Sequence, residues 1–119
     1  MTPPPLIDRA VLDELSRIIG AQGTRTVLAL FVVECRGYLA TIAEAGAQPA
    51  DPGHRERARR AAHSLKSCAG QIGAAALSAT AAAVELAAGD PTRDLAEAAA
   101  SLHQCAEDSL SALAPLQGG

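Results

Sequence analysis

Apolar residues in this chain recur three and four positions apart, in stretches that glycine and proline cut to the length of single helices. Ile7, Val11, Leu12, Leu15, Ile18 and Ile19 keep that spacing as far as Gly20, and Leu28, Phe31, Val32, Cys35, Leu39 and Ile42 resume it. The period is that of a helix with one face on a core; a half-buried strand would alternate instead. Composition agrees. Roughly a quarter of the residues are alanine, the best helix former. The 119 residues include one Phe, one Tyr and no Trp, yet 49% are hydrophobic. Such a chain suits closely spaced helices with small contact residues, not sheets, which favour branched and aromatic side chains.

The punctuation sets the boundaries. Met1 to Pro5 reads as a loose leader, because three consecutive prolines cannot sit inside a helix. A short helix follows over Ile7 to Ile19, ended by Gly20, and Thr24 is expected to cap the next one. The loop from Gly46 to Gly53 closes on Asp51 and Pro52, a cap and first-turn pair for a helix from Pro52 to Ile72. A break near Gly73 leads into a helix over Ala75 to Ala88. Gly89, Asp90 and Pro91 then read as a stop, a new cap and a new first turn. The last helix carries Leu95, Ala99, Leu102, Ala106, Ser109 and Leu113, with a loose tail over residues 115–119. Short connections make neighbours antiparallel. The expected fold is all-α, one domain over residues 1–119: an up-down antiparallel four-helix bundle with a short additional N-terminal helix.

Several functions are disfavoured. The formal net charge of -3 gives no general attraction to nucleic acid or to an anionic membrane. No apolar run of about 18 residues is uninterrupted, so no transmembrane helix is expected. Cys35, Cys68 and Cys105 form no CxxC pair and no disulfide framework, which favours a reducing, cytoplasmic setting. A metal site built from His54, His63, His103 and the cysteines lacks the Glu-x-x-His pattern of bundle metal centres.

The helix from Pro52 is the informative one. With His63 at zero on a wheel, Ala58, Ala61, Leu65, Cys68 and Ile72 fall between roughly 140° and 220°, opposite the imidazole. Arg59, Arg60, Lys66, Ser67 and Gly70 share the histidine's side. His63 therefore points outward from a stripe that is basic and, next to the ring, small. Gly70 costs a helix about 1 kcal/mol relative to alanine and leaves flat backbone that a partner can approach. Lys66 is the only lysine among ten basic residues. A compact ammonium one turn from the ring can follow a phosphoryl group more readily than a planar guanidinium. Neutral imidazole is a competent nucleophile near pH 7, its reference pKa being about 6.5. Its second nitrogen needs a partner to fix the tautomer. Counted from Gly73, His63 lies ten residues up one helix and Glu85 twelve up its antiparallel neighbour. That places Glu85 to accept the Nδ1 proton and leave Nε2 as the nucleophile.

The stretch Ala62 to Ala74, AHSLKSCAGQIGA, resembles the signature of the histidine phosphotransfer (HPt) domain family of phosphorelays, on His63, Leu65, Lys66, Ser67, Ala69 and Gly73. Val84 to Leu86 is similar to the family's later core segment, and the family's ring partner, 22 residues beyond the histidine, lands on Glu85. With Phe31 the resemblance spans most of residues 7–110. It implies that His63 is phosphorylated, that Lys66 steadies the phosphoryl oxygens, and that Ser67 and Gly70 leave room for a docking receiver domain; Arg59 and Arg60 share that face and match the acidic pocket of a receiver in charge, so docking is expected there. It implies a phosphoryl carrier, not a turnover enzyme, acting as a monomer between the receiver domains of a hybrid histidine kinase and of a response regulator. No cofactor belongs to the chain itself; Mg²⁺ is expected on the receiver. Two positions depart from the commoner pattern: Ser67 stands where the family often has glycine, and Glu85 where some members have glutamine. A non-catalytic adaptor bundle, or a dimerisation and phosphoacceptor domain of a kinase, is the alternative reading.

Overall fold

The structure, a computed structural model, describes residues 2–117; Met1, Gly118 and Gly119, which fall in the expected leader and tail, lie outside it. Four helices account for nearly all of it: α1 (Arg9–Ala47), α2 (Pro52–Gln71), α3 (Ala75–Gly89) and α4 (Leu95–Gln117). Each packs on its two neighbours around a square, α1 on α2 and α4, and α3 on α2 and α4. This is the expected all-α up-down bundle.

The short N-terminal helix and the second helix run on as one element, α1. Asp8 caps its start by accepting from the Ala10 amide at 3.1 Å. At Gly20 the backbone leaves helical geometry, with φ 79° and ψ 171°, a conformation that favours glycine. The break is spanned by side chains: Thr24 Oγ1 donates to the Gly20 carbonyl at 2.8 Å and lies 3.1 Å from Ser16 Oγ. Thr24 is thus not the N-cap expected of it. It sits one turn inside the helix, buried, and bonds backwards across the kink. By length and composition α1 is the one described helix that could cross a membrane. In the bundle its stripe of Leu12, Leu28, Phe31, Cys35, Ile42 and Ala45 belongs to the common core.

Helix α2 begins as its sequence dictates. Asp51 accepts from the His54 amide at 2.9 Å, and Pro52 occupies the first turn, where a missing N–H costs nothing. The α2–α3 turn is wholly buried at Ile72, Gly73 and Ala74. Gly73 has φ 85°, and a Cβ there would lie 2.8 Å from the Asp8 carbonyl oxygen. The strand of chain before α1 crosses this turn: the Asp8 amide donates to Gly73 O at 2.7 Å, and the Ala76 amide to Pro5 O at 2.9 Å. The end of the leader is therefore tied down.

The last connection differs from expectation. Asp90 does not cap α4. Its carboxylate is engaged by the Thr92 amide and hydroxyl, at 2.9 and 2.7 Å, closing a turn. Asp94 caps instead, accepting from the Glu97 amide at 3.0 Å, and α4 starts at Leu95. Arg55 fixes the corner from α2, donating to Ala87 O at 2.8 Å, more weakly to Asp90 O and Arg93 O, and to Pro49 O. Helix α4 then continues through Pro115 to Gln117, past the expected start of the tail.

Leu28, Ile42, Leu65, Leu77, Val84, Leu95, Leu102 and Leu113 fill the core. Ala58, Ala62, Ala69, Ala81 and Ala106 are as fully buried, and their size lets the helix axes approach. No buried side-chain nitrogen or oxygen among the described residues lacks a hydrogen-bond partner.

Gly73→Ala should lower the unfolding free energy by about 2 kcal/mol, from a positive φ and a contact with Asp8 O. Gly37→Ala lies in mid-helix, where a Cβ meets nothing within 4 Å, and should gain up to about 1 kcal/mol. Urea midpoints of the two variants should move in opposite directions; a Gly73→Ala midpoint equal to wild type would remove the turn from its proposed place in the fold.

Candidate functional site

The buried face of α2, made of Ala58, Ala61, Ala62, Leu65 and Ala69, leaves His63 on the outside, with its side chain 63% exposed. Helix α3 brings Glu85 alongside. Val84, Ala87 and Ala88 are buried on either side of it, so Glu85 stands at the edge of the core, 21% exposed and directed across to α2. His63 Nδ1 lies 2.8 Å from Glu85 Oε2, and Lys66 Nζ donates to Glu85 Oε1 at 2.7 Å. One carboxylate thus bridges the imidazole and the ammonium.

The chemistry of that bridge is directional. A carboxylate only accepts, so the Nδ1 position must carry the proton and donate it. The neutral ring then has its lone pair on Nε2, which takes no hydrogen bond from the described residues. The Glu85 carboxyl is held below its ordinary value of 4.5, first by the Lys66 ammonium and next by His63, against the opposing effect of burial.

The remaining site residues fall into two groups. Ser67 and Gly70 are exposed on α2, about one and two turns beyond His63. A Cβ at Gly70 would come only within 3.5 Å of Ser78 Oγ, an ordinary contact, so packing does not demand a glycine there. Arg59 and Arg60 are not free cations. Glu56 accepts from Arg59 at 2.7 and 2.8 Å and from Arg60 at 3.1 Å. The pair of arginines, Arg59 foremost, pulls the Glu56 carboxyl down to about 2. The stripe near His63 is therefore less basic than its arginines suggest. The signal was present in the sequence, since Glu56 stands three and four residues before them, the spacing of helix-surface ion pairs.

A hydroxyl the sequence did not single out also reaches α2. Ser78 Oγ donates to the backbone carbonyl of Lys66 at 2.8 Å. The other histidines lie elsewhere: His54 contacts Asp51 at the start of α2, and His103 lines a groove between α1 and α4. No cluster of three His, Cys, Asp or Glu side chains that could hold a metal occurs among the described residues. The three cysteines are free, and burial pushes the Cys35 thiol up to about 11.

The Glu85 bridge has a pH signature. A carboxyl whose folded pKa is lowered contributes stability above its unfolded value and loses it as the pH falls through the folded one. Stability of wild type relative to Glu85→Gln should therefore be greatest near neutrality. It should shrink as the pH drops below 4.5, the ordinary value of the group. Urea denaturation of both proteins between pH 7 and pH 3 checks this; parallel curves would mean that the bridge contributes nothing.

Comparison with known proteins places this geometry. Residues 26–114 match the family model of the Hpt domain, which leaves the first turns of α1 outside the match. No curated protein and no solved structure matches the chain. The matched segment is well over half of the sequence and contains His63, Lys66 and Glu85. The chain belongs to the Hpt domain family, the phosphocarrier modules of two-component phosphorelays that work with receiver domains.

Proposed function

We propose that the chain carries a phosphoryl group on Nε2 of His63, taken from the aspartyl phosphate of one receiver domain and passed to the aspartate of another. The observation that supports this most is the bridge itself: Glu85 holds the Nδ1 side of the ring at 2.8 Å, and the opposite nitrogen is open to solvent. The Nε2 lone pair attacks phosphorus, the phosphorus–oxygen bond to the aspartate breaks, and the carboxylate leaves with the electron pair. The product is a phosphoramidate on a ring that keeps its Nδ1 proton. The positive charge that the ring gains faces the Glu85 carboxylate. The reverse sequence delivers the group onward. Lys66, 37% exposed and one turn from His63, is placed to neutralise charge on the phosphoryl oxygens.

The chain's own residues supply nucleophile, orientation and one cation. The receiver supplies the aspartate and its Mg²⁺, so no cofactor is assigned to this chain. In this reading the protein is a stoichiometric carrier, monomeric and cytoplasmic. The donor is the receiver domain of a hybrid histidine kinase and the acceptor that of a response regulator. The receiver is expected to land on the α2 face formed by Arg59, Arg60, Ser67 and Gly70. The ion pairs of Arg59 and Arg60 with Glu56 can be exchanged for pairs with the acidic surroundings of a receiver's active site.

One panel of variants tests these assignments. Incubated with a receiver domain phosphorylated on aspartate, wild type should acquire label that is acid-labile and base-stable. His63→Gln should fold as wild type and acquire none. Lys66→Ala should slow transfer by about tenfold, with Lys66→Arg recovering part of the loss. Gly70→Gln should melt no lower than wild type yet transfer slowly. Label on His54 or His103, or full-speed transfer by the Lys66 and Gly70 variants, would contradict the corresponding assignment.

A further inference from the structure

Lys66 is held by α3 at both ends. Its ammonium is taken by Glu85, and its backbone carbonyl accepts from Ser78 Oγ at 2.8 Å. A carbonyl has two acceptor sites, so this bond adds to the helix's own ladder and does not replace it. Side chains on a helix lean toward its N-terminus, which carries the Lys66 stem back toward the turn of His63. Ser78 and Glu85 are two turns apart on α3, about 10 Å along its axis. One therefore grips the base of Lys66 and the other its tip.

Ser78 differs from the other hydroxyl of α3. Thr80 turns back on its own helix, to the Ala76 carbonyl, and makes no bond to α2. Around Ser78 the α2–α3 contact combines Leu65 and Leu77 with small residues: Ala62, Ala69 and Ala81 are as fully buried, and Gly70 offers no side chain. Those apolar contacts carry no direction, and near the turn the Ser78 hydroxyl supplies the side-chain hydrogen bond that joins α3 to α2 among the described residues.

We infer that Ser78 is a positioning residue for phosphoryl transfer, its hydroxyl setting where the Lys66 ammonium stands relative to Glu85 and to Nε2 of His63. The inference rests on the carrier reading above. Ser78 touches neither the ring nor a phosphoryl group; it acts through Lys66. Removing the hydroxyl leaves the nucleophile, its tautomer and the docking face in place, and leaves the position of the lysine to Glu85 alone.

Ser78→Ala keeps the helix, since alanine is the commonest residue of α3. Transfer from a phosphorylated receiver domain is measured at increasing receiver concentration, in the full-length chain. Ser78→Ala should lower the maximal rate by about three- to tenfold, a loss in the range of a small misplacement of a catalytic cation, with the half-saturating concentration unchanged. Ser78→Thr, which restores the hydroxyl, should recover the rate. In a Lys66→Ala background, Ser78→Ala should cost nothing further. An Ser78→Ala protein that transfers at full speed, or one whose loss persists undiminished without Lys66, overturns the role of Ser78 while the carrier reading stands. A wild-type chain that takes no label overturns both.

Discussion

The Glu85 carboxylate accepts from His63 on one oxygen and from Lys66 on the other, and this bridge sets the chemistry of the exposed ring. It spans two helices, so it exists only while α2 and α3 keep their separation and register. Each partner also gains from the other. The ammonium keeps the carboxylate ionised, and an ionised carboxylate is what demands a proton on Nδ1. The tautomer of an exposed imidazole is otherwise a weak preference, easily lost to water. Here it is decided by a charge that the fold has brought to the rim of its core.

That separation has a chain of causes. Alanines at the α2–α3 seam allow the close approach, and the turn that begins it requires Gly73, whose positive φ and lack of a side chain let the Asp8 backbone lie across it. At the far end of α3, Arg55 ties the helix's last carbonyls back to α2. The pair of helices is thus closed at both ends and carries the site in its middle. Helices α1 and α4 present their apolar stripes to the other side. The face opposite them remains open, and it is the face that holds His63.

What could be read from the sequence followed from local chemistry. Gly20 and Gly73 marked real departures from helical geometry, Asp51 and Pro52 opened α2, and the apolar positions of α2 turned His63 outward. The pairing of His63 with Glu85 followed from counting along two antiparallel helices from one turn. Where the structure departs from what local chemistry suggests, equivalent groups compete. Asp90 and Asp94 both suit a cap, and only the Thr92 turn decides which carboxylate is left for α4. Thr24 looks like a cap until its hydroxyl is seen reaching back over the kink. Glu56 stands three and four residues before Arg59 and Arg60, so helix spacing alone carries the ion pairs that make this stretch less basic than its arginines suggest. The Ser78 bond to the Lys66 carbonyl could not be read at all: it depends on the roll of one helix on another, to which a serine in an alanine-rich segment gives no clue.

If Glu85 holds the Nδ1 proton, the phosphoryl group can only go to Nε2. The most direct measurement is nitrogen–proton correlation spectroscopy of the His63 ring, in protein labelled on its histidine side chains, before and after phosphorylation by a receiver domain. A proton resident on Nδ1 is expected in the free protein, and a phosphorus coupling to Nε2 in the phosphorylated one. A phosphoryl group found on Nδ1, displacing Glu85, would contradict this assignment.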